Sequence, residues 1–290
     1  MNITWSKYVQ GINTLYYSRK LRFDDMFAPQ YEPLFALDKD KPLKILEIGC
    51  GPGALAGALH RWYPQAQITA IDRDSEFIRF AKKNESGITF LEGDATALPF
   101  DDNTFDVTIS NTVSEHIEPS AFYSEQRRVL KPSGICLVLS SRRGLHSSAP
   151  CLSPTEYEKQ FWKTLEPFDD SMTKYAVCQY PMSEAELPAA MEKYGFDHVL
   201  TGFVVADLTP DHPKFSSELA HDIINAGRCT ALDAVDSALY SMPEHVTQQA
   251  ANEMKGLINA RYDQRIAQYD HGDKQWDTSV SIIMVVRGQK

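Results

Sequence analysis

Three glycines within five residues lie between a short apolar run and a helical stretch. The run 44–48 predicts a strand, the turn is Gly49-Cys50-Gly51-Pro52-Gly53, and 54–63 predicts a helix. Glycines here let a ligand approach the backbone, and the helix N-terminus favours polar or anionic groups. The spacing Gly49-x-Gly51-x-x-Ala54 also fits the dinucleotide fingerprint in its G/A form. A tight turn without a ligand is the weaker explanation, because three glycines so close together are costly to order.

Two acidic residues follow the next two predicted strands. Asp72 ends the apolar run 67–71, and Asp94 follows the run 88–91. A carboxylate at the first position can accept hydrogen bonds from both hydroxyls of a ribose, and one at the second can receive the amino group of an adenine. A helix cap is the other explanation for Asp72, but Asp74 is better placed for that role. Asp72 suits NAD and adenosyl cofactors equally, so it does not distinguish them.

Alternating strands and helices must position these residues. Between about residues 44 and 140, further apolar runs predict strands at 105–110 and 135–139, with helical stretches between most of the runs. Buried apolar strands that alternate with helices are typical of a parallel, doubly wound α/β sheet. Two late stretches, 198–206 and 278–286, also have the composition of strands.

Helical patterns flank this core. Near the N-terminus Phe23, Phe27, Tyr31 and Phe35 recur every four residues and share one helical face. That face packs on the sheet or, alternatively, forms a lid over a ligand, because aromatic faces suit cations and apolar substrates. Residues 207–277 predict a helical insertion that covers a substrate site or makes a dimer contact. We therefore expect a helical N-terminal segment 1–40, a core of 41–206 with 278–290, and the insertion 207–277.

The composition indicates a globular protein of the reducing cytoplasm. The chain has 290 residues, of which 43% are hydrophobic, and a net charge of −10. An acidic chain repels phosphate backbones, so we expect no nucleic-acid partner. Short apolar runs and an N-terminus without signal or transit composition predict no membrane association. Five unpaired cysteines fit a cytoplasmic location, and without Cys-x-x-Cys or His-Glu-x-x-His we expect no metal site.

Five segments match, in order, the motifs of one enzyme family. They are Leu46–Gly53, Ala70–Arg73, Gly93–Phe100, Phe105–Asn111 and Arg128–Gly134. With them the sequence resembles class I S-adenosylmethionine-dependent methyltransferases, in the small-molecule, type-11-like branch that includes the quinone-biosynthesis enzymes. The resemblance covers roughly residues 40–140, about a third of the chain. It implies a seven-stranded Rossmann-like sheet whose last strand is antiparallel, and the stretch 278–286 is suitable for that strand.

The resemblance implies S-adenosylmethionine as the cofactor and S-adenosylhomocysteine as its product. On this basis Glu47 anchors the methionine amino group, directly or through water. Gly49, Cys50 and Gly51 let the backbone approach the amino-acid part of the cofactor. Asp72 binds the ribose hydroxyls.

Further positions complete the implied cofactor site. Arg73 lies beside the adenine, and Asp94 and the Ala95 amide read the adenine edge. A last group flanks the methionine moiety and its sulfonium just past the fourth strand: Asn111, Thr112 and Val113.

His116 is the candidate catalytic residue. In related small-molecule enzymes, a histidine at the start of this helix sometimes acts as a base toward the acceptor, and its pKa range suits proton removal near neutral pH. A packing or capping role is the alternative. Glu115 is a weaker candidate, because it also complements the helix dipole.

These residues predict methyl transfer to a small-molecule acceptor by in-line displacement at the sulfonium carbon. Two alternatives remain open at this point. One is a catalytically silent S-adenosylmethionine-binding partner protein, which intact cofactor positions do not exclude. The other is a NAD-dependent oxidoreductase, which shares the glycine turn and Asp72. A homodimer is compatible with every one of these functions.

Overall fold

Strands and helices alternate through most of the chain. The computed structural model describes residues 5–168 and 174–290. The strands are β1 Lys44–Ile48, β2 Gln67–Asp72, β3 Thr89–Glu92, β4 Phe105–Asn111, β5 Leu130–Ala149, β6 Asp197–Leu208 and β7 Thr278–Gln289. The α-helices are α1 Trp5–Tyr8, α2 Ile12–Arg22, α3 Ala28–Phe35, α4 Ala54–Trp62, α5 Ser75–Asn84, α6 Pro119–Val129, α7 Glu156–Leu165, α8 Glu186–Lys193, α9 Ser217–Ser241 and α10 Gln248–Asp270.

The strands form a seven-stranded sheet in the order β3-β2-β1-β4-β5-β7-β6. β1 pairs in parallel with β2 and β4, and the parallel ladder continues to β3 on one side and β5 on the other. The chain therefore builds outward from β1 to β3 and then resumes at β4, so the strand order reverses between β1 and β4. The last strands are antiparallel, which confirms the predicted seven-stranded, Rossmann-like class.

Contacts divide the chain into two units whose bounds differ from the expected ones. Residues 22–145, 176–206 and 281–290 form one, which we call the sheet unit. The described residues within 1–21, 146–175 and 207–280 form the other, the helical unit. Residues 22–40 group with the sheet unit, and the described part of 146–175 groups with the helices of 207–277. The three-part division expected from the sequence stays a prediction.

The aromatic face near the N-terminus is part of the core of the sheet unit. Phe23, Tyr31 and Phe35 are at most 1% exposed, and Phe27 is 4% exposed. The ring centroid of Tyr31 lies 5.4 Å from that of Trp62 on α4, in a stacked arrangement. Aromatic pairs at this separation add to the stabilisation that burial alone gives. These four rings pack inside the sheet unit, and a lid over a ligand stays a prediction.

Buried charge is a feature of the helical unit. The Arg265 side chain on α10 is 2% exposed, and its Nη2 donates to Asp211 Oδ2 at 2.8 Å and to Asp277 Oδ1 at 2.6 Å. Asp211 Oδ2 also accepts the backbone N–H groups of Gln275 and Trp276, both at 2.9 Å. Arg265 therefore links Asp211, near the start of residues 207–280 in the helical unit, to Asp277, near their end.

Replacing Arg265 with alanine should destabilise the helical unit strongly. Removing one partner of a buried ion pair leaves the other charge desolvated and costs about 3–5 kcal/mol of unfolding free energy. Urea denaturation followed by circular dichroism measures the change. Arg79→Ala, which removes a side chain that is 72% exposed and pairs with Glu76, is the control and should change the value by less than about 0.5 kcal/mol. Equal effects of both variants would contradict the prediction.

Candidate functional site

The glycine turn after β1 folds back onto the end of β2. The backbone N–H groups of Gly49 and Cys50 both donate to the carbonyl oxygen of Ile71, at 2.8 and 3.0 Å. Gly49 has φ +67°, in the left-handed region that side chains rarely adopt. The predicted strand, turn and helix are therefore present, and the turn is fixed against the neighbouring strand.

Asp72 ties together the loops that follow three adjacent strands. Its Oδ2 accepts the Gly51 N–H at 2.8 Å, and its Oδ1 accepts the Asp74 N–H at 2.9 Å. Its carbonyl oxygen accepts the Gly93 N–H at 3.0 Å. Asp74 caps α5 by accepting the Glu76 N–H, as the sequence predicts. Asp72 is thus half-buried among the loops that follow β1, β2 and β3 at the carboxyl edge of the sheet, and its carboxylate is directed to the glycine turn.

The end of β4 meets the same turn from the other side. A Cβ atom built on Gly49 would lie 2.4 Å from Val113 Cγ2, so only glycine fits against this side chain. Thr112 has φ +54° and donates its N–H to the Leu139 carbonyl at 2.8 Å, which turns the chain sharply after the buried Asn111. The predicted residues 111–113 and the glycine turn therefore lie together where the strand order reverses.

Glu47 and Cys50 are buried at this edge. Glu47 is 2% exposed, and its register partners are Ala70 on β2 and Ile109 on β4. Cys50 is 2% exposed at the start of the turn. A carboxylate buried so deeply between two strands suits a cationic partner.

The loop after β3 carries the other predicted cofactor residues. Asp94 is exposed, and its Oδ1 accepts both the N–H and the hydroxyl of Thr96 at 2.8 Å. Ala95 is half-buried, whereas the side chain of Arg73, after β2, is exposed. Asp94 therefore shapes its own turn, and Gly93 joins this loop to Asp72.

Arg128 holds the stereotyped segment that follows Asp94. Its Nη2 donates to the Leu98 carbonyl at 2.9 Å and its Nη1 to the Phe100 carbonyl at 2.7 Å. Glu125 Oε2 accepts the Leu98 N–H at 2.7 Å, and hydrogen bonds from Arg128 hold the pKa of Glu125 below its usual range. The two distant sequence motifs at 93–100 and 128–134 are therefore parts of one structural feature.

His116 lies in a one-turn 3-10 helix, Ser114–His116, directly after the β4 end. Its N–H donates to the Val113 carbonyl at 2.9 Å. Its ring Nδ1 accepts the backbone N–H of Cys178 at 2.9 Å. In a neutral imidazole one nitrogen accepts and the other carries the proton, so this contact places the proton on Nε2. The contact with Cys178 orients the ring, and the use of His116 as a base stays a prediction.

The segment around Cys178 is a part of the site that sequence reasoning missed. The Tyr180 N–H donates to the Glu115 carbonyl at 2.9 Å. Arg142, whose side chain is 10% exposed, donates to the Met182 carbonyl at 2.8 Å and to Glu184 Oε1 at 2.7 Å. These bonds hold residues 178–184 beside the turn that follows β4 and beside Arg142 within β5. The only sequence signal for them is Arg142 just past a predicted strand.

Two features are absent from residues 5–168 and 174–290. No group of three or more His, Cys, Asp or Glu side chains in these ranges is arranged to hold a metal ion. Nor is any helix described there long and apolar enough to cross a membrane.

Comparison with known proteins identifies the domain that this edge belongs to. Residues 46–138 match a family described as a methyltransferase domain, and they include every predicted cofactor residue. The chain contains a class I S-adenosylmethionine-dependent methyltransferase domain. The dinucleotide interpretation of the glycine turn is thereby replaced, and the predicted type-11-like resemblance is confirmed.

Curated relatives are similar to this chain over about a third of its length. A fatty-acid O-methyltransferase from Mycolicibacterium smegmatis is 39% identical over 34% of this chain and 37% of its own length. A ubiquinone/menaquinone biosynthesis C-methyltransferase from Desulfotalea psychrophila is 38% identical over 34% of this chain and 41% of its own. The chain thus spans about two fifths of the length of these relatives.

A solved structure shows the same fold over nearly the whole chain. The phosphoethanolamine N-methyltransferase 2 of Haemonchus contortus, in complex with S-adenosyl-L-methionine, gives a TM-score of 0.50 at 16% identity. The match covers 99% of this chain and 60% of that one. At this identity the likeness extends to the fold and not to the acceptor.

Proposed function

We propose that the protein transfers a methyl group from S-adenosylmethionine to a small-molecule acceptor by in-line displacement at the sulfonium carbon. The observation that carries the proposal is the junction of the glycine turn, Asp72 and Val113 where the strand order reverses. Ligands of doubly wound sheets bind at this point, outside the carboxyl ends of the strands.

The residues at this edge fit the parts of the cofactor. The buried carboxylate of Glu47 suits the cationic amino group of the methionine, directly or through water. Gly49, Cys50 and Gly51 would present their backbone to the amino-acid part of the cofactor, at a turn that packs closely against Val113. Asp72 would hold the ribose hydroxyls, since its carboxylate lies at the turn that the nucleoside must cross.

The remaining assignments concern the two ends of the cofactor. Arg73 would lie beside the adenine. Asp94 and the Ala95 amide would form hydrogen bonds with the edge of the adenine ring. Three residues at the β4 end would flank the methionine and the sulfonium: Asn111, Thr112 and Val113.

Catalysis then depends mainly on placement. When bound, the cofactor supplies an electrophilic methyl group on a sulfonium, and the leaving group is a neutral thioether that needs no protonation. Holding an acceptor in line with the departing sulfur contributes up to about 7–11 kcal/mol in favourable systems. His116, directly after the β4 end, is the candidate to contact the acceptor.

A small acceptor in a soluble compartment completes the proposal. The relatives methylate a fatty acid and act in quinone biosynthesis, and the net charge of −10 disfavours RNA and DNA. We place the protein in the cytoplasm, on its cysteine usage, and assign the insertion 207–277 to substrate covering or to a homodimer contact. Neither relative fixes the acceptor atom, since one is an O- and the other a C-methyltransferase.

Calorimetric titration with S-adenosylhomocysteine, with NADH as the control ligand, tests this proposal. We expect micromolar affinity for S-adenosylhomocysteine and no heat with NADH. Binding of NADH alone, or of neither ligand, would contradict it. Binding of S-adenosylhomocysteine without any methyl transfer would instead indicate the silent partner protein.

A further inference from the structure

A short strap of chain, residues 176–184, lies against the 3-10 turn that follows β4. The Tyr180 N–H donates to the Glu115 carbonyl at 2.9 Å, and the Cys178 N–H donates to His116 Nδ1 at 2.9 Å. This turn comes directly after the β4 end, whose residues are proposed to flank the methionine and the sulfonium. The strap is therefore hydrogen-bonded to the stretch of chain that continues from the proposed cofactor site.

Arg142 on β5 holds the C-terminal half of the strap. Its Nη2 donates to the Met182 carbonyl at 2.8 Å, and its Nε donates to Glu184 Oε1 at 2.7 Å. The Ser183 N–H also donates to Glu186 Oε2 at 2.8 Å, which joins the strap to the start of α8. One end of the strap is thus fixed on a helix of the sheet unit, and Arg142 is the charged group that binds next to that end.

Hydrogen bonds contribute more than buried apolar surface to the position of the strap. Each of its nine side chains is half-buried or exposed, and Met182 packs at the margin of the core. Segments with few buried apolar contacts open locally at a lower free energy than the core does. Ala176 and Cys178 also have φ values of +56° and +53°, in the left-handed region that is unfavourable for a residue with a Cβ. Opening relieves this strain, so the hydrogen bonds are the main opposition to it.

We infer that the strap opens and closes over the turn after β4, that Arg142 is the latch that holds it closed, and that cofactor binding at the β4 end favours the closed form. The last part rests on the methyl transfer proposed above. Loops that close on a bound ligand exclude water from the reaction. A strap that opens beside the β4 end would admit the acceptor, and its closure would keep water from the methyl group.

The coupling to the cofactor follows from the path of the chain. A ligand that contacts residues 111–113 orders the turn that follows them, and the hydrogen bonds of Tyr180 and Cys178 need that turn in its present conformation. Coupling between two such events is reciprocal. The factor by which the cofactor stabilises the closed strap is therefore also the factor by which closure strengthens cofactor binding.

Native-state hydrogen exchange of the unaltered full-length protein, followed by NMR, detects the opening. The Tyr180 and Cys178 amides should exchange through a local opening that exposes little surface. Their rates should therefore not change with urea at low concentrations, whereas the rates of amides in β1 and β4 should rise. If the two strap amides exchange only together with those strands, the strap does not open by itself and the inference is wrong.

Variants of Arg142 test the latch. Arg142→Ala should speed exchange of the Tyr180 amide at least about 10-fold, which corresponds to about 1.4 kcal/mol, because hydrogen bonds from a charged donor are the stronger ones. Arg142→Lys keeps the charge without the forked geometry, so its rate should be intermediate. An unaltered rate in both variants shows that Arg142 is not a latch, and if Arg142→Ala does not fold, Arg142→Lys alone decides.

Arg127→Ala is the matched control. Arg127 Nε also donates to a backbone carbonyl of the sheet unit, that of Gly195, at 3.0 Å. Its replacement should change the exchange rate of the Tyr180 amide by less than about 2-fold, as expected for a surface substitution away from the strap. Equal effects of Arg127→Ala and Arg142→Ala would contradict the latch.

S-adenosylhomocysteine tests the coupling. At saturation it should slow exchange of the Tyr180 and Cys178 amides at least about 10-fold, while the amide of Asp40, in the exposed loop before β1, should keep its rate. If calorimetry shows binding but the strap amides keep their rates, the inference is wrong and the proposed function stands. If no binding is detected, the proposed function fails and the coupling with it, whereas the urea and Arg142 experiments still decide whether a latched strap opens.

Discussion

Replacing Asp72 with alanine lowers the affinity for S-adenosylhomocysteine by about 100- to 1,000-fold, which corresponds to about 2.7–4.1 kcal/mol. The proposed bonds from two ribose hydroxyls to one carboxylate account for most of this, since hydrogen bonds to a charged group contribute about 1.5–3 kcal/mol each. The variant also removes the side-chain acceptor of the Gly51 and Asp74 N–H groups, so the glycine turn keeps only its backbone bonds to Ile71 on β2. Asp72→Asn keeps one side-chain carbonyl oxygen, so its affinity should lie between those of the unaltered protein and of Asp72→Ala.

Calorimetry with the matched variant Asp38→Ala makes the comparison specific. Asp38 accepts the N–H two residues ahead, as Asp72 does, but it is exposed and lies before β1. Its replacement should leave the affinity unchanged within about 2-fold, because a loss of one exposed bond of this kind is small. Circular dichroism should show both variants folded. An Asp72→Ala protein that is folded and binds with unaltered affinity would remove the ribose assignment.

The sheet and the loops at the carboxyl ends of its strands were predictable because the sequence signals for them are local. Alternating apolar runs and turns specify each strand and helix, and β1 and β2 are joined through a single helix. The turn at Gly49 and the carboxylate of Asp72 are 23 residues apart, and parallel strands bring them to one edge. The order of the family motifs predicted the remaining positions. Arg128 donates to the carbonyls of Leu98 and Phe100, a contact that its own motif does not indicate.

The contacts around His116 were not predictable from these signals. The donor on its ring is a backbone N–H, which every residue but proline carries, so the identity of Cys178 has no bearing on it. The two residues are also 62 apart in sequence. Likewise the arginine that anchors the segment reads in the sequence as an isolated basic side chain. A role that depends on the path of the backbone leaves no residue pattern to detect.

Gly49→Ala should weaken cofactor binding strongly, though less than the loss of Asp72 does. A Cβ at this position would lie 2.4 Å from Val113 Cγ2, well inside van der Waals contact. The left-handed φ of +67° adds about 1–2 kcal/mol for any residue with a Cβ. Because the turn must shift away from the β4 end, the backbone that meets the methionine moves with it. We expect S-adenosylhomocysteine affinity to fall by at least about 30-fold, roughly 2 kcal/mol.

A double variant identifies the cause of that loss. Val113→Ala removes the Cγ2 atom that the new methyl group would strike, so Gly49→Ala with Val113→Ala should regain part of the affinity that Gly49→Ala alone loses. The φ penalty stays, and recovery should therefore be incomplete. Gly256→Ala is the control, because that glycine lies inside α10 with no atom within 4 Å of an added Cβ. If the double variant binds no better than Gly49→Ala, the overlap with Val113 is not what excludes a side chain, and the backbone conformation alone accounts for the glycine.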